Sequence, residues 1–176
     1  MRPEEYLLVE ARICQERENL SHVLAELEKH GLYPEVRSDR IGGFRLTDDE
    51  AMRIVGSILH DFYTFFENMA RAVASRIDRS VPSGDEWRKE LLTQMVLAIP
   101  GLRPSLISAR TARLLEPYRG FRHVFRNVYG FQLDPGRTLD LVRGLAEAVL
   151  ALQEDLDTFV REMRSALQPG DQDPTG

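Results

Sequence analysis

The sequence predicts an all-α chain, an antiparallel bundle of about five helices, and three observations carry that expectation. Apolar residues recur at three- and four-residue steps over long segments. Nothing alternates with a period of two for long enough to make a strand, and the breaks between segments hold Pro, Gly and helix-start residues. Connections this short favour antiparallel neighbours. With 176 residues, 43% of them hydrophobic, the chain can bury a core without disulfides or a metal. It is read as one helical domain over 1–168 with a disordered tail, "PGDQDPTG", at 169–176.

The elements follow in order. Over residues 3–30, Leu7, Ile13, Leu20, Leu24 and Leu27 trace an amphipathic helix that Gly31 can stop. This first helix, 1–31 with its flanks, is one more member of the bundle or, alternatively, one arm of a dimer. Residues 32–46, with "PEVRSDRIGG", read as a linker. Thr47 and Glu50 form a capping box ahead of Ile54, Ile58, Phe62, Phe65, Phe66 and Met69. Ser83 and Glu86 repeat that signature before Trp87, Leu91, Met95 and Ile99. Past Pro100 and Pro104, a fourth helix is expected from Ser105 to about Tyr129, where Pro117 can kink it. Asp134 followed by Pro135 opens a last helix through Leu139, Leu145, Val149, Leu152, Leu156 and Met163.

Composition removes several classes of function. A formal net charge of −5 argues against a surface that coats nucleic acid nonspecifically. A single cysteine, Cys14, gives no disulfide framework or cysteine-rich zinc site, suits a reducing compartment, and is expected as a small core residue. The N-terminus is acidic where a signal peptide is basic, and no apolar run reaches membrane-spanning length, so the protein is read as cytoplasmic and free of membrane. There is no internal repeat, phosphate loop or dinucleotide fingerprint. No Glu-x-x-His pair offers a di-metal site, and neither a metal nor a cofactor is expected. His22, His30 and His60 have no ligand spacing between them.

The informative stretch is "RGFRHVFRNVYGFQLDPGR", residues 119–137. Between residues 110 and 137 there are six arginines against two acids, whereas from 138 onward eight acids face three basic residues. On a helical wheel, Leu114, Phe121, Val124, Phe125, Val128 and Phe131 fall on one side as the expected core stripe. Arg119, Arg122, His123, Arg126, Asn127 and Tyr129 occupy the remaining arc. The plain reading is a solvated face whose arginines pair with acids on the neighbouring helix. Arginine outnumbers lysine 21 to 2 over the whole chain, so its use here says little. What distinguishes the face is His123, Asn127 and Tyr129 set among guanidiniums, groups that donate to or accept from a phosphodiester.

"RHVFRNVY" resembles the signature of HEPN-domain proteins, small α-helical bundles, and is most similar to the HepT-like branch, whose motif runs Arg, any four residues, His, any one, Tyr. Arg122 matches the arginine, His123 the polar residue after it and Tyr129 the tyrosine, while Asn127 stands where that family has its catalytic histidine. The resemblance is strongest over 47–165 and adds the trailing "GFQLD". It implies a metal-independent endoribonuclease toxin, a homodimer whose two motifs meet in an interface cleft. It also implies a cognate MntA-like nucleotidyltransferase antitoxin that silences the toxin by transferring AMP to the motif tyrosine, here Tyr129. Carried onto this sequence, Arg122, Asn127 and Tyr129 form the catalytic set, with Arg119 and Arg126 on phosphate. RNA cleavage through the 2′-hydroxyl needs proton transfer and positive charge against the phosphorane. A neutral amide such as Asn127 can position a group but cannot move a proton, which leaves His123 as the candidate substitute.

Three functions are therefore weighed. The first is a HepT-like RNA-cleaving toxin. The second is a catalytically impaired dimer of the same fold that binds RNA, a nucleotide or the transferase. The third is a helical adaptor whose arginines serve only a protein interface.

Overall fold

The computed structural model describes residues 3–127 and 133–167. In chain order its elements are α1 (Pro3–Lys29), β1 (Arg40–Ile41), β2 (Phe44–Arg45), α2 (Asp49–Arg76), α3 (Trp87–Val96), α4 (Ala109–Asn127) and α5 (Pro135–Leu167). The fold is the expected all-α bundle of five helices, with one small addition. β1 and β2 pair antiparallel within the 32–46 linker, Ile41 opposite Phe44. Gly42 and Gly43 both take positive φ in the turn between them, the requirement of a two-residue hairpin loop. Strands of two residues are too short to leave an alternating pattern in a sequence.

Helix α2 is the central element, packing against each of the other four helices. Side-chain pairs set the directions. Asn68 on α2 donates to Glu16 on α1, and Arg79 just beyond α2 reaches Glu5 near the start of α1, so these helices are antiparallel. Tyr118 bonds Leu141 O while Arg110 pairs with Glu147, which makes α4 and α5 antiparallel too. The buried face of α2 carries Val55, Leu59, Phe62, Tyr63, Phe66, Met69, Ala70 and Val73. Covering apolar side chains on this scale is what stabilises a bundle, at about 1.5–3 kcal/mol for each large one fully buried.

Two helix ends follow the sequence closely. Gly31 has φ +68° and Leu32 N donates to Leu27 O, the glycine-dependent closure of a helix C-terminus. At α5, Asp134 Oδ1 accepts from Gly136 N at 2.8 Å and Arg137 N at 3.2 Å, satisfying amides that the first turn leaves orphaned.

Other expectations are corrected. Neither expected capping box forms: α2 and α3 begin after Asp48 and Glu86, and neither residue makes a side-chain cap bond. Asp48 Oδ2 instead accepts from Arg45 N at 2.9 Å, so its carboxylate closes the exit of the hairpin. Helix α4 begins at Ala109 rather than Ser105, with Ser108 Oγ accepting from Thr111 N at 3.2 Å. The preceding residues are used by an Ile99–Arg103 bridge. Leu7, expected in the stripe of α1, is 61% exposed, and the buried face is Tyr6, Val9, Ile13, Leu20, Leu24 and Leu27. Cys14 follows Ile13 by one residue, turns away from that face and is exposed rather than buried. The tail from 169, Val128, Tyr129 and Phe131 lie outside the described residues. Among those described, no helix is long and apolar enough to cross a membrane.

Candidate functional site

Helix α4 is fixed at its start by Ser108, whose backbone N also donates to Asp155 Oδ2 on α5 at 2.6 Å. From there Thr111, Leu115, Tyr118 and Arg122 recur at four- and three-residue steps and are all buried. This stripe faces the bundle, and the sequence expectation is corrected by a rotation. Leu114, Phe121 and Phe125 flank the stripe and are only partly buried. Val124, expected in the core, lies about 160° round the helix from Arg122 and is 46% exposed. Arg122, expected on the polar arc, is the buried one at 7%.

The cause is the close approach of α2. Gly56 has no side chain, and a Cβ placed there would meet Phe125 Cε2 at 2.6 Å. Phe125 lies on that gap with His60, ring centroids 5.5 Å apart, and Tyr118 meets Phe62 edge-on at 4.9 Å. Seating both rings against α2 turns Arg122, which lies between them in sequence, inward.

Buried there, Arg122 needs partners. Its Nε donates to Thr64 Oγ1 at 3.1 Å and its Nη2 lies 3.4 Å from Glu67 Oε1. The other Glu67 oxygen accepts from Arg88 Nε on α3 at 3.0 Å. Two guanidiniums therefore share one buried carboxylate, leaving surplus positive charge where α2, α3 and α4 meet. Burial pulls the Arg122 guanidinium below its ordinary pKa; Glu67 opposes that effect and Arg88 and Arg126 add to it. A buried cation not fully neutralised favours an arriving anion.

The other site residues separate. Arg119 makes a two-pronged bond to Glu116 at 2.8 and 2.5 Å, which raises its own pKa and lowers that of Glu116. Arg110 pairs across to Glu147 on α5, the plain reading of this face. His123 and Arg126 are exposed near the end of α4. Asn127 is the last residue of α4; its side chain, and Tyr129 altogether, lie outside the described residues. Among described residues, no group of three or more His, Cys, Asp or Glu is placed to hold a metal.

Sequence reasoning missed Thr64, Glu67 and Arg88. Glu67 had a signal, since it falls on the apolar face of α2 between Phe66 and Ala70, and a carboxylate in a core stripe calls for a cation opposite.

Residues 54–163, more than half of the chain, match a family model described as HepT-like protein. The matched span contains most of α2 and α5 and all of α3 and α4, and so every residue of the Arg122 network. No match was found among curated proteins or among solved structures.

Proposed function

Because the chain belongs to the HepT-like family, we propose that it is the toxin of a toxin–antitoxin pair, a dimeric RNA-directed protein whose cleft is built around Arg122. The observation that carries this reading is the Arg122–Glu67–Arg88 cluster, two guanidiniums to one carboxylate in a buried site. An RNA phosphate fits such a site better than a neutral ligand does.

In this reading two copies bring their α4 ends together so that both motifs face one phosphodiester. The RNA 2′-oxygen attacks phosphorus, the bond to the 5′-oxygen breaks, and one proton leaves the attacking oxygen as another reaches the departing one. Arg122, with Arg126 and an Arg119 released from Glu116, stabilises the charge on the phosphorane. Asn127 orients the reacting oxygens, and His123 on the exposed side of α4 is the group able to move a proton near neutral pH. In this reading a cognate nucleotidyltransferase silences the protein by transferring AMP from ATP to the Tyr129 hydroxyl with release of pyrophosphate, which adds a phosphate's negative charge to the motif.

One observation favours a second reading, a dimer that binds RNA without cutting it: Asn127 occupies the position of the family's histidine. Expression of the chain alone, and together with a neighbouring nucleotidyltransferase gene, is the deciding experiment, read as growth and as cellular RNA integrity. Growth arrest with RNA loss, relieved by the partner and by Arg122→Ala, supports the enzyme. RNA binding with no cleavage, converted to cleavage by Asn127→His, supports the second reading. A strictly monomeric protein that binds no RNA refutes both.

A further inference from the structure

A second basic surface lies away from the motif. Helices α1 and α2 run side by side, and between them opens a groove of about 640 Å³ whose walls carry Arg12, Arg71 and Arg76. The sequence places these residues by helical spacing. Leu8, Ala11, Arg12 and Gln15 make one ridge of α1, and Asn68, Arg71, Ala72, Ser75 and Arg76 make the facing ridge of α2. Ala11 and Ala72 line the channel together with the arginines, and Val81 just beyond α2 completes the lining.

The groove is organised from below. Glu16 is buried, and its carboxylate accepts from Arg12 Nη1 at 3.3 Å and from Asn68 Nδ2 at 3.1 Å. That fixes one charged and one amide donor on the two walls without placing an acid in the channel. The groove also connects to the motif. Arg71 lies 5.2 Å from the centre of the Trp87 ring, and Arg88 lies 4.2 Å from the same ring. Arg88 in turn holds Glu67, the partner of Arg122.

We infer that the α1–α2 groove is a track for single-stranded RNA. Arg12, Arg71 and Arg76 contact consecutive phosphates, and Trp87 is the aromatic step between this track and Arg122. The inference rests on the RNA-directed reading above and names where the strand runs beyond the reacting phosphodiester. Trp87 does not line the groove but lies against Arg71 of its wall, and a positive groove combined with an aromatic side chain is how single strands are held without sequence preference. From Asn68 to Arg76 the ridge is roughly 12 Å long, room for a short run of backbone phosphates. A protein partner would use Leu8 and Val81, which also line the groove and are exposed; three guanidiniums with no carboxylate on the walls favour a polyanion instead.

Trp87 is the only tryptophan in the chain, so the intact protein carries its own probe. A fluorescein-labelled single-stranded 12-nucleotide RNA is titrated into the full chain and into Arg71→Gln/Arg76→Gln and Arg122→Ala. Anisotropy and Trp87 emission are read at several salt concentrations. The track requires Trp87 quenching on binding, affinity lower in the double variant on the order of tenfold, and a salt slope shallower by about 1.4 for two lost phosphate contacts. If Arg122→Ala weakens binding while the double variant keeps wild-type affinity and slope, the track is wrong and the motif reading survives. No RNA binding by wild-type protein overturns both. Unchanged RNA binding with loss of the co-expressed nucleotidyltransferase complex makes the groove a protein surface and overturns the track.

Discussion

Among the described residues two arginines are buried, and they are buried differently. Arg103, in the connection between α3 and α4, has no exposed side-chain surface. It makes a two-pronged bond to Asp78 at 2.5 and 2.8 Å and also donates to the carbonyls of Leu97, Pro104 and Gln94. Every direction in which its guanidinium can donate ends on a protein acceptor. Arg122 has Thr64 at 3.1 Å and a longer approach to Glu67 at 3.4 Å, and it shares that carboxylate with Arg88. The first arrangement spends a cation on holding a loop. The second holds a cation loosely in place with charge left over, which is what an anion site needs.

The comparison is broken most directly by removing each arginine. Arg103→Ala leaves the Asp78 carboxylate buried with Gln94 Nε2 donating to it at 2.7 Å, and it removes the arginine from the carbonyls of Leu97 and Pro104. Breaking a buried pair this way costs about 3–5 kcal/mol, so denaturant unfolding of Arg103→Ala should show the largest loss of stability among these variants. A loss below about 1 kcal/mol would mean that the loop is not held by this residue.

Arg122→Ala should cost less, about 1–3 kcal/mol, because Arg88 still neutralises Glu67. The same variant should lose RNA binding, whereas Arg103→Ala at a temperature where it stays folded should keep it. Equal stability losses with equal binding losses would erase the distinction between a structural and a functional arginine.

Gly56→Ala tests how Arg122 comes to face inward. The added methyl must displace Phe125, at 2.6 Å, and Leu133 Cδ1, at 3.1 Å; overpacking of this kind costs about 1–3 kcal/mol. Since Phe125 is one turn beyond Arg122, the variant should also weaken RNA binding without touching a charged residue. Wild-type stability and binding in Gly56→Ala would separate the seating of Phe125 from the orientation of Arg122.

That orientation is where the sequence was hardest to read. The ends of α1 and α5 were legible because Gly31 and Asp134 act on amides and carbonyls within a few residues. The face of α4 was not, because two apolar stripes lie side by side on it, Leu114 with Phe121 and Phe125, and Leu115 with Tyr118. Local periodicity ranks them equally. What sets the helix between them is a glycine and a phenylalanine on another helix, Gly56 seating Phe125 of the first stripe and Phe62 meeting Tyr118 of the second, at distances no local pattern encodes. The motif itself was legible as residue types at a spacing, but its supports were not: Thr64, Glu67 and Arg88 come from two other helices. The hairpin at 40–45 was missed because two residues per strand carry no period.

The smallest expected effect concerns a third kind of arginine, one at the surface. Arg119 grips Glu116 with two bonds, and that contact lowers the carboxyl pKa from its ordinary value of 4.5. Glu116 is nearly half exposed, so solvent screens the pair and its worth is about 0.2–1 kcal/mol. A carboxyl whose pKa is depressed by folding contributes its stability above the unfolded value and loses it as pH falls through the lower folded value. Thermal unfolding of wild type and Arg119→Gln should therefore differ slightly at pH 7, and the difference should shrink progressively once the pH is below about 4.5. A difference that persists undiminished at pH 2 would show that Arg119 acts through packing of its stem instead. A pair held this weakly can exchange its carboxylate for a phosphate at little cost. Arg119, unlike Arg103, could therefore serve as the phosphate contact beside Arg122 that the proposed RNA-directed function asks of it.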